Sequence, residues 1–165
     1  MTSAYLMWLL AIAVYDFRQR RVPNWLVLAG AALAIATLAF GIAPIAHGWS
    51  SALFGAGLGF GFLLPFYALG LMGAGDVKFA GALGLWVGHT ALLPIWVIGS
   101  ALAGLHAVLW LALQRWPVAP RLSLMLFGQP SSANGSPAPS RTRFIPYAAY
   151  LALAAAVWMV WGRQS

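Results

Sequence analysis

The 165-residue chain is 62% hydrophobic and only 7% charged, with a mean hydropathy of +0.85, which excludes an ordinary soluble domain, where about 25% of residues are charged. Nine basic residues against two acids give a formal net charge of +7, but in so apolar a chain the cations read as topology signals in loops and not as a nucleic-acid surface. The absence of cysteine excludes disulfides and thiolate metal sites.

Six helical segments are predicted, giving an all-α, polytopic membrane protein with one transmembrane domain over residues 1–165. Helix 1 runs from about Ser3 to Arg20. No basic stretch precedes its apolar run and the arginines follow it, so it reads as a retained membrane helix and not as a cleavable signal peptide. Helix 2 runs from Pro23, suited to a first helical position, to about Ala46. After the polar turn "HGWS", helix 3 runs from about Ser51 to Met72 and is broken by "GAGD". Helix 4, Asp76 to about Val87, is too short to span a bilayer unless it starts inside the membrane or tilts. "GHT" predicts a turn, and helix 5 follows from about Ala91 to Leu113. A loop over about 114–143 contains a Pro/Ser/Gly-rich stretch, Gln129 to Ser140, whose composition predicts flexibility. Helix 6 runs from about Phe144 to Trp161.

The charges select one orientation. Arg18, Arg20 and Arg21 lie between helices 1 and 2, Lys78 after helix 3, and Arg115, Arg121, Arg141 and Arg143 between helices 5 and 6. An outside N-terminus places all eight on the cytoplasmic face and leaves only Arg163 elsewhere. The same topology carries the ends of helices 1 and 3 inward, so Asp16 and Asp76, the only acids, are expected at one membrane face.

A carboxylate at membrane depth costs a few kcal/mol and is by default a functional candidate. Each acid alone also has a structural explanation: Asp76 as a helix N-cap after a glycine turn, Asp16 as an i,i+4 partner of Arg20. Their convergence, with no other acid in the chain, favours chemistry. Two close carboxylates cannot both ionise easily and share a proton. The ionised one activates water as a general base, and the protonated one polarises an amide carbonyl and later protonates the leaving amine. Gly73 and Gly75 are expected to permit unusual backbone angles and the close approach of a substrate backbone. No metal or other cofactor is expected.

With "DVK" running into an apolar helix and "YDFRQRRVPNWL" upstream, "MGAGD" becomes specific. The chain resembles the type IV prepilin peptidases, bacterial aspartic proteases with a GxGD motif, over "YDFRQRRVPNWL", "MGAGDVKFAGALGLWVG" and "RFIPYAAYLAL", and its length is similar to the short branch that serves tight-adherence (Flp) pili. The resemblance implies that Asp16 and Asp76 are the catalytic pair and that Arg20, Pro23, Asn24, Gly73, Gly75, Lys78, Pro146 and Tyr147 bind substrate or shape the site. It implies an enzyme of the bacterial inner membrane that cuts a short leader from a prepilin or pseudopilin at the cytoplasmic face, in contact with lipid and associated with a pilus assembly or secretion machine. Longer relatives carry a cysteine-rich segment between the first two helices and methylate the new N-terminus. Here Asp16 and Pro23 are seven positions apart with no cysteine between, so a product without N-methylation is expected. The family's late "PYG" pattern reads Pro146-Tyr147-Ala148.

Other features receive structural readings. "GAGLGFG", Gly55 to Gly61, lacks the Lys-Ser/Thr ending of a phosphate loop. Its Gly55/Gly59 and Gly57/Gly61 pairs predict close helix packing. His47 and His89 are placed in outer turns and His106 inside helix 5, facing the bundle. The nine tryptophans are read mostly as interfacial or lipid-facing anchors. Lys78, two positions after Asp76, leaves its helical face and is free to meet a substrate or a lipid phosphate. The rival to the peptidase reading is a small proton-coupled transporter or channel subunit with Asp16 and Asp76 as ion relays, although relays more often sit at the midplane between inverted repeats.

Overall fold

The computed structural model describes residues 2–19, 21–43, 48–115 and 146–161, and these are helical with no strand among them. Helices α1 (Thr2–Gln19), α2 (Asn24–Ala39) and α3 (Trp49–Ala68) precede a helical run, Ala74–Arg115, which is interrupted at Gly88 (φ 70, ψ 178). That conformation is essentially reserved for glycine and divides the run into α4 (74–87) and α5 (89–115). The last helix is α6 (Tyr147–Trp161). The chain forms two compact units, Met1–Ala103 with Phe144–Ser165 and Gly104–Arg143. The first contains α1 to α4, the start of α5, and α6; the described part of the second is the helical stretch 104–115.

Several boundaries differ from expectation, each for a local reason. Helix α2 stops at Ala39 and α3 at Ala68 because Gly41 (φ 65) and Gly70 (φ 72) accept the left-handed conformation. Behind each glycine the chain closes a Schellman motif: the Gly41 amide bonds the Leu38 carbonyl and the Ile42 amide that of Thr37, and Gly70 with Leu71 repeats this on Tyr67 and Phe66. The expected end of helix 2 near Ala46, and His47, lie outside the described residues, as do the start of helix 6 at Phe144 and the expected 114–143 loop from residue 116 on; its first two residues, Gln114 and Arg115, are helical. Pro23 is the N-cap of α2, not its first helical residue. Helix α4 starts at Ala74, two residues before Asp76. The expected turn at "GHT" is the single break at Gly88, with His89 and Thr90 already helical.

Helix α1 buries Tyr5, Trp8, Leu9, Ile12, Ala13 and Asp16, a single stripe at helical spacing. It runs along α6 and also touches α2. Alanine makes this approach possible: Ala148, Ala149, Ala152, Ala154 and Ala155 of α6 are all buried. Helices α3 and α4 meet through glycine. A Cβ at Gly84 would strike the Gly55 carbonyl, and one at Gly59 would strike that of Ala80. Gly57 and Gly61 have open space beside them, so only one of the two expected glycine pairs is a contact.

Two tryptophans are exceptions to the anchor reading. Trp8 and Trp86 are buried in the core beside Tyr5, with Trp8 also against Phe79. Trp8 Nε1 donates to the Leu26 carbonyl (2.9 Å) and Trp86 Nε1 to the Gly30 carbonyl (3.0 Å), one turn further along α2. A side chain at Gly30 would occupy the Trp8 ring. Trp25, Trp49 and Trp161 are exposed, as an anchor role requires.

Outside this core the surface is apolar: Met7, Leu10, Phe54, Phe62, Leu93 and Val97 are all exposed. Two helical stretches are long and apolar enough to cross a membrane, Trp49–Ala68 and Ala74–Ala112, with Asn24–Ala39 and Tyr147–Trp161 as shorter apolar helices. Only 22% of the most apolar window in each long stretch is buried, unlike the interior helix of a soluble protein.

Candidate active site

Both acids lie where one end of α6 meets α1 and α4. Asp16 continues the buried stripe of α1 one turn past Ile12 and is 4% exposed; Asp76 is 8% exposed. The first turn of α6 leaves amides without helical partners, and two consecutive ones serve the carboxylates. Ala149 N donates to Asp16 Oδ2 (2.8 Å), and Ala148 N donates to Asp76 Oδ1 (3.1 Å). Residues 60 positions apart in sequence are thereby held on consecutive amides of one turn.

Asp76 has a second anchor. Its Oδ2 accepts from Gly73 N (3.3 Å). Gly73 precedes the first helical residue, so Asp76 is the third residue of α4 and reaches back to the cap amide, as the acid of a capping box does. The expected N-cap role is therefore corrected: the carboxylate caps the helix from within its first turn. Gly73 and Gly75 do not take positive φ angles; the left-handed glycines among the described residues are Gly41, Gly70 and Gly88. What Gly75 supplies is room, since its Cβ would lie 3.3 Å from Val22 Cβ in the α1–α2 link. At Gly73 the nearest atom to a Cβ is Asp76 Oδ2 at an ordinary 3.5 Å.

The remaining expected residues divide. Pro146 is buried just before α6, and its carbonyl accepts from Tyr150 N (3.4 Å). The Tyr147 hydroxyl bonds the Ser100 hydroxyl of α5 (3.1 Å), tying that helix to the turn that carries the two amides. Pro23 sets the start of α2, where Asn24 Oδ1 accepts from Lys78 Nζ (3.0 Å). Arg20 lies outside the described residues. His89 is away from this end, bonded through Nδ1 to Ser51 at the start of α3 (3.0 Å). His106 belongs to the second unit. Sequence reasoning missed the amides of Ala148 and Ala149, which no side-chain motif reveals, and Ser100, an isolated serine in an apolar run. Apart from its boundary, the only sequence sign of the α6 turn was "PY" before an alanine-rich helix.

A profile of the type IV leader peptidase family matches residues 3–109. The chain belongs to the type IV leader peptidase family. The match spans α1 to α4 and includes both aspartates and the "GAGD" turn. It ends before α6, whose amides hold the two carboxylates. Comparisons with curated proteins and with solved structures gave no match. As a type IV leader peptidase the protein is a protease, and membership does not favour the transporter reading.

Proposed function

We propose that the protein is an intramembrane aspartic endopeptidase that removes the short leader of a type IV prepilin or pseudopilin, of the Flp type, at the cytoplasmic face of the bacterial inner membrane, without N-methylation. The observation that carries this reading is the pair of buried carboxylates on consecutive amides of α6. Both aspartates are turned away from solvent, and a carboxylate oxygen that accepts one amide retains a second lone pair.

The reaction follows from one proton shared by the pair. The ionised carboxylate takes a proton from water as the water oxygen bonds to the scissile carbonyl carbon. The protonated partner gives its proton to the carbonyl oxygen, producing a neutral gem-diol. Collapse breaks the C–N bond; the carboxyl that took the water proton, and not its partner as expected from the sequence, passes that proton to the leaving amine, and the partner recovers one from a diol hydroxyl. The products are a leader carboxylate and a new N-terminal amine, and the pair returns to its starting state. The amides belong to the first turn of α6, so both side chains are oriented in advance.

Helix length supports a site within the membrane rim. The 14 residues of α4 (74–87) rise about 21 Å, short of the roughly 30 Å hydrocarbon core. If Gly88 marks the outer border, Asp76 lies inside the inner rim, where a substrate bond beside an apolar helix can reach it. Co-expression with a neighbouring prepilin gene, with mass spectrometry of the mature N-terminus, tests the function. Cleavage after the glycine that ends the leader, and a product without added methyl, are expected. An uncut precursor contradicts the peptidase reading; a product heavier by one methyl, made by this protein alone with a methyl donor, contradicts the unmethylated one.

A further inference from the structure

The bond between Lys78 and Asn24 lies at one end of a second feature, a groove of about 470 Å³ between α2, α3 and α4. Its walls are apolar and include Ala31, Ala56, Phe60 and Leu85. Among the described residues that line it, Lys78 is the only charged one. The polarity is graded along the groove. Asn24 and Ala31 are seven residues apart on α2, as are Lys78 and Leu85 on α4, so the polar pair and the apolar far end are separated by about 10 Å along both helices. The two helices run in the same direction, since Lys78 reaches Asn24 and Trp86 reaches Gly30.

The mouth is rich in donors. An ammonium has three and a side-chain amide has two; Lys78 uses one of its own on the Asn24 carbonyl, which leaves the Asn24 NH₂ directed elsewhere. A ligand matching this surface carries an anionic oxygen group on an apolar tail. We propose that the groove is a binding site for an anionic phospholipid, with the phosphate at Lys78 and Asn24 and the start of one acyl chain between α2, α3 and α4. Basic pockets between membrane helices favour such headgroups. The groove is separate from the carboxylates, but it shares their supports: Asn24 lies two residues after Val22, against which Gly75 packs, and Lys78 lies two residues after Asp76 on α4. A bound lipid holds α2 to α4 at the same end.

Native mass spectrometry of the full-length protein, titrated with phosphatidylglycerol and with phosphatidylcholine of the same chains, tests the proposal without reference to proteolysis. One phosphatidylglycerol should be retained with roughly fivefold preference, the scale expected for one lysine at a membrane surface. Lys78→Gln should abolish the preference, Lys78→Arg should keep it, and Ala31→Trp should weaken retention of both lipids by filling the groove. Equal retention of the two lipids by the parent protein, or a preference that survives Lys78→Gln, overturns it. A cysteine at position 31 that is shielded from a thiol reagent by an apolar prepilin peptide, but not by phosphatidylglycerol, also overturns it and gives the groove to the substrate.

Discussion

Asp16 and Asp76 reach the same turn through different local rules. Asp16 is inward because the α1 stripe of Tyr5, Trp8, Leu9, Ile12 and Ala13 continues to it at helical spacing. Asp76 is inward because it caps α4 from its third position through Gly73 N. The two glycines of the "GAGD" turn are therefore unequal. Gly75→Leu must displace Val22 and with it the α1–α2 link, and should lower leader cleavage roughly tenfold or more, in keeping with the cost of overpacking. Gly73→Ala meets nothing closer than the Asp76 oxygen at ordinary contact distance and should stay within about threefold of the parent. Initial rates on one prepilin distinguish the two; equal losses contradict this division of roles. Ala148, where the family pattern has glycine, serves Asp76 through its backbone amide, which any residue but proline supplies. Ala148→Gly should leave the cleavage rate within about twofold and lower stability by roughly 0.5–1 kcal/mol, the helical cost of glycine. A large gain in rate would show that the methyl group obstructs substrate.

At the scale of elements, the glycines of α3 separate packing from composition. Gly55 and Gly59 face α4, and Gly57 and Gly61 face open space. Gly84→Ala and Gly59→Ala should destabilise the protein by about 1–3 kcal/mol. Gly57→Ala should be neutral or stabilising by up to about 1 kcal/mol through helix propensity. Thermal unfolding in detergent reads the contrast, and similar shifts for Gly57 and Gly84 would place the α3–α4 contact elsewhere. The sequence could show that "GAGLGFG" carries two small-residue pairs, not which pair faces a neighbour, because an all-apolar helix has no polar face to orient it. The tryptophans illustrate the same blindness. Trp8 and Trp86 are core residues whose indole N–H groups bond α2 carbonyls, but in a lipid-facing protein a buried and an exposed tryptophan look alike in sequence. Trp86→Phe, which removes only the hydrogen bond and part of the ring, should cost about 1 kcal/mol or more, whereas Trp25→Phe at the exposed surface should cost less.

For the whole molecule, the element order and the convergence of the two acids were legible because rare charges in an apolar chain carry most of the positional information. The α6 contribution was not, because a backbone amide has no sequence signature and alanine is uninformative about what its N–H reaches. Topology is a property of the whole chain. An outside N-terminus predicts that a cysteine at Ser50 is labelled by an impermeant reagent in intact cells and one at Ser132 is not. The reverse pattern would move the aspartates to the other face and remove the cytoplasmic site.

The central claim is that Asp16 and Asp76 act as one unit on a single proton. The direct test is the cleavage rate of a cognate prepilin by Asp16→Asn, Asp76→Asn and the double variant, at matched protein levels in the membrane. Asparagine keeps the shape of the side chain and its carbonyl acceptor but cannot cycle a proton. Each single change should abolish processing, and the double change should be no worse than either one, since groups that act together are not additive. Processing by Asp16→Asn at close to the parental rate would contradict the shared-proton mechanism, whatever the behaviour of Asp76→Asn.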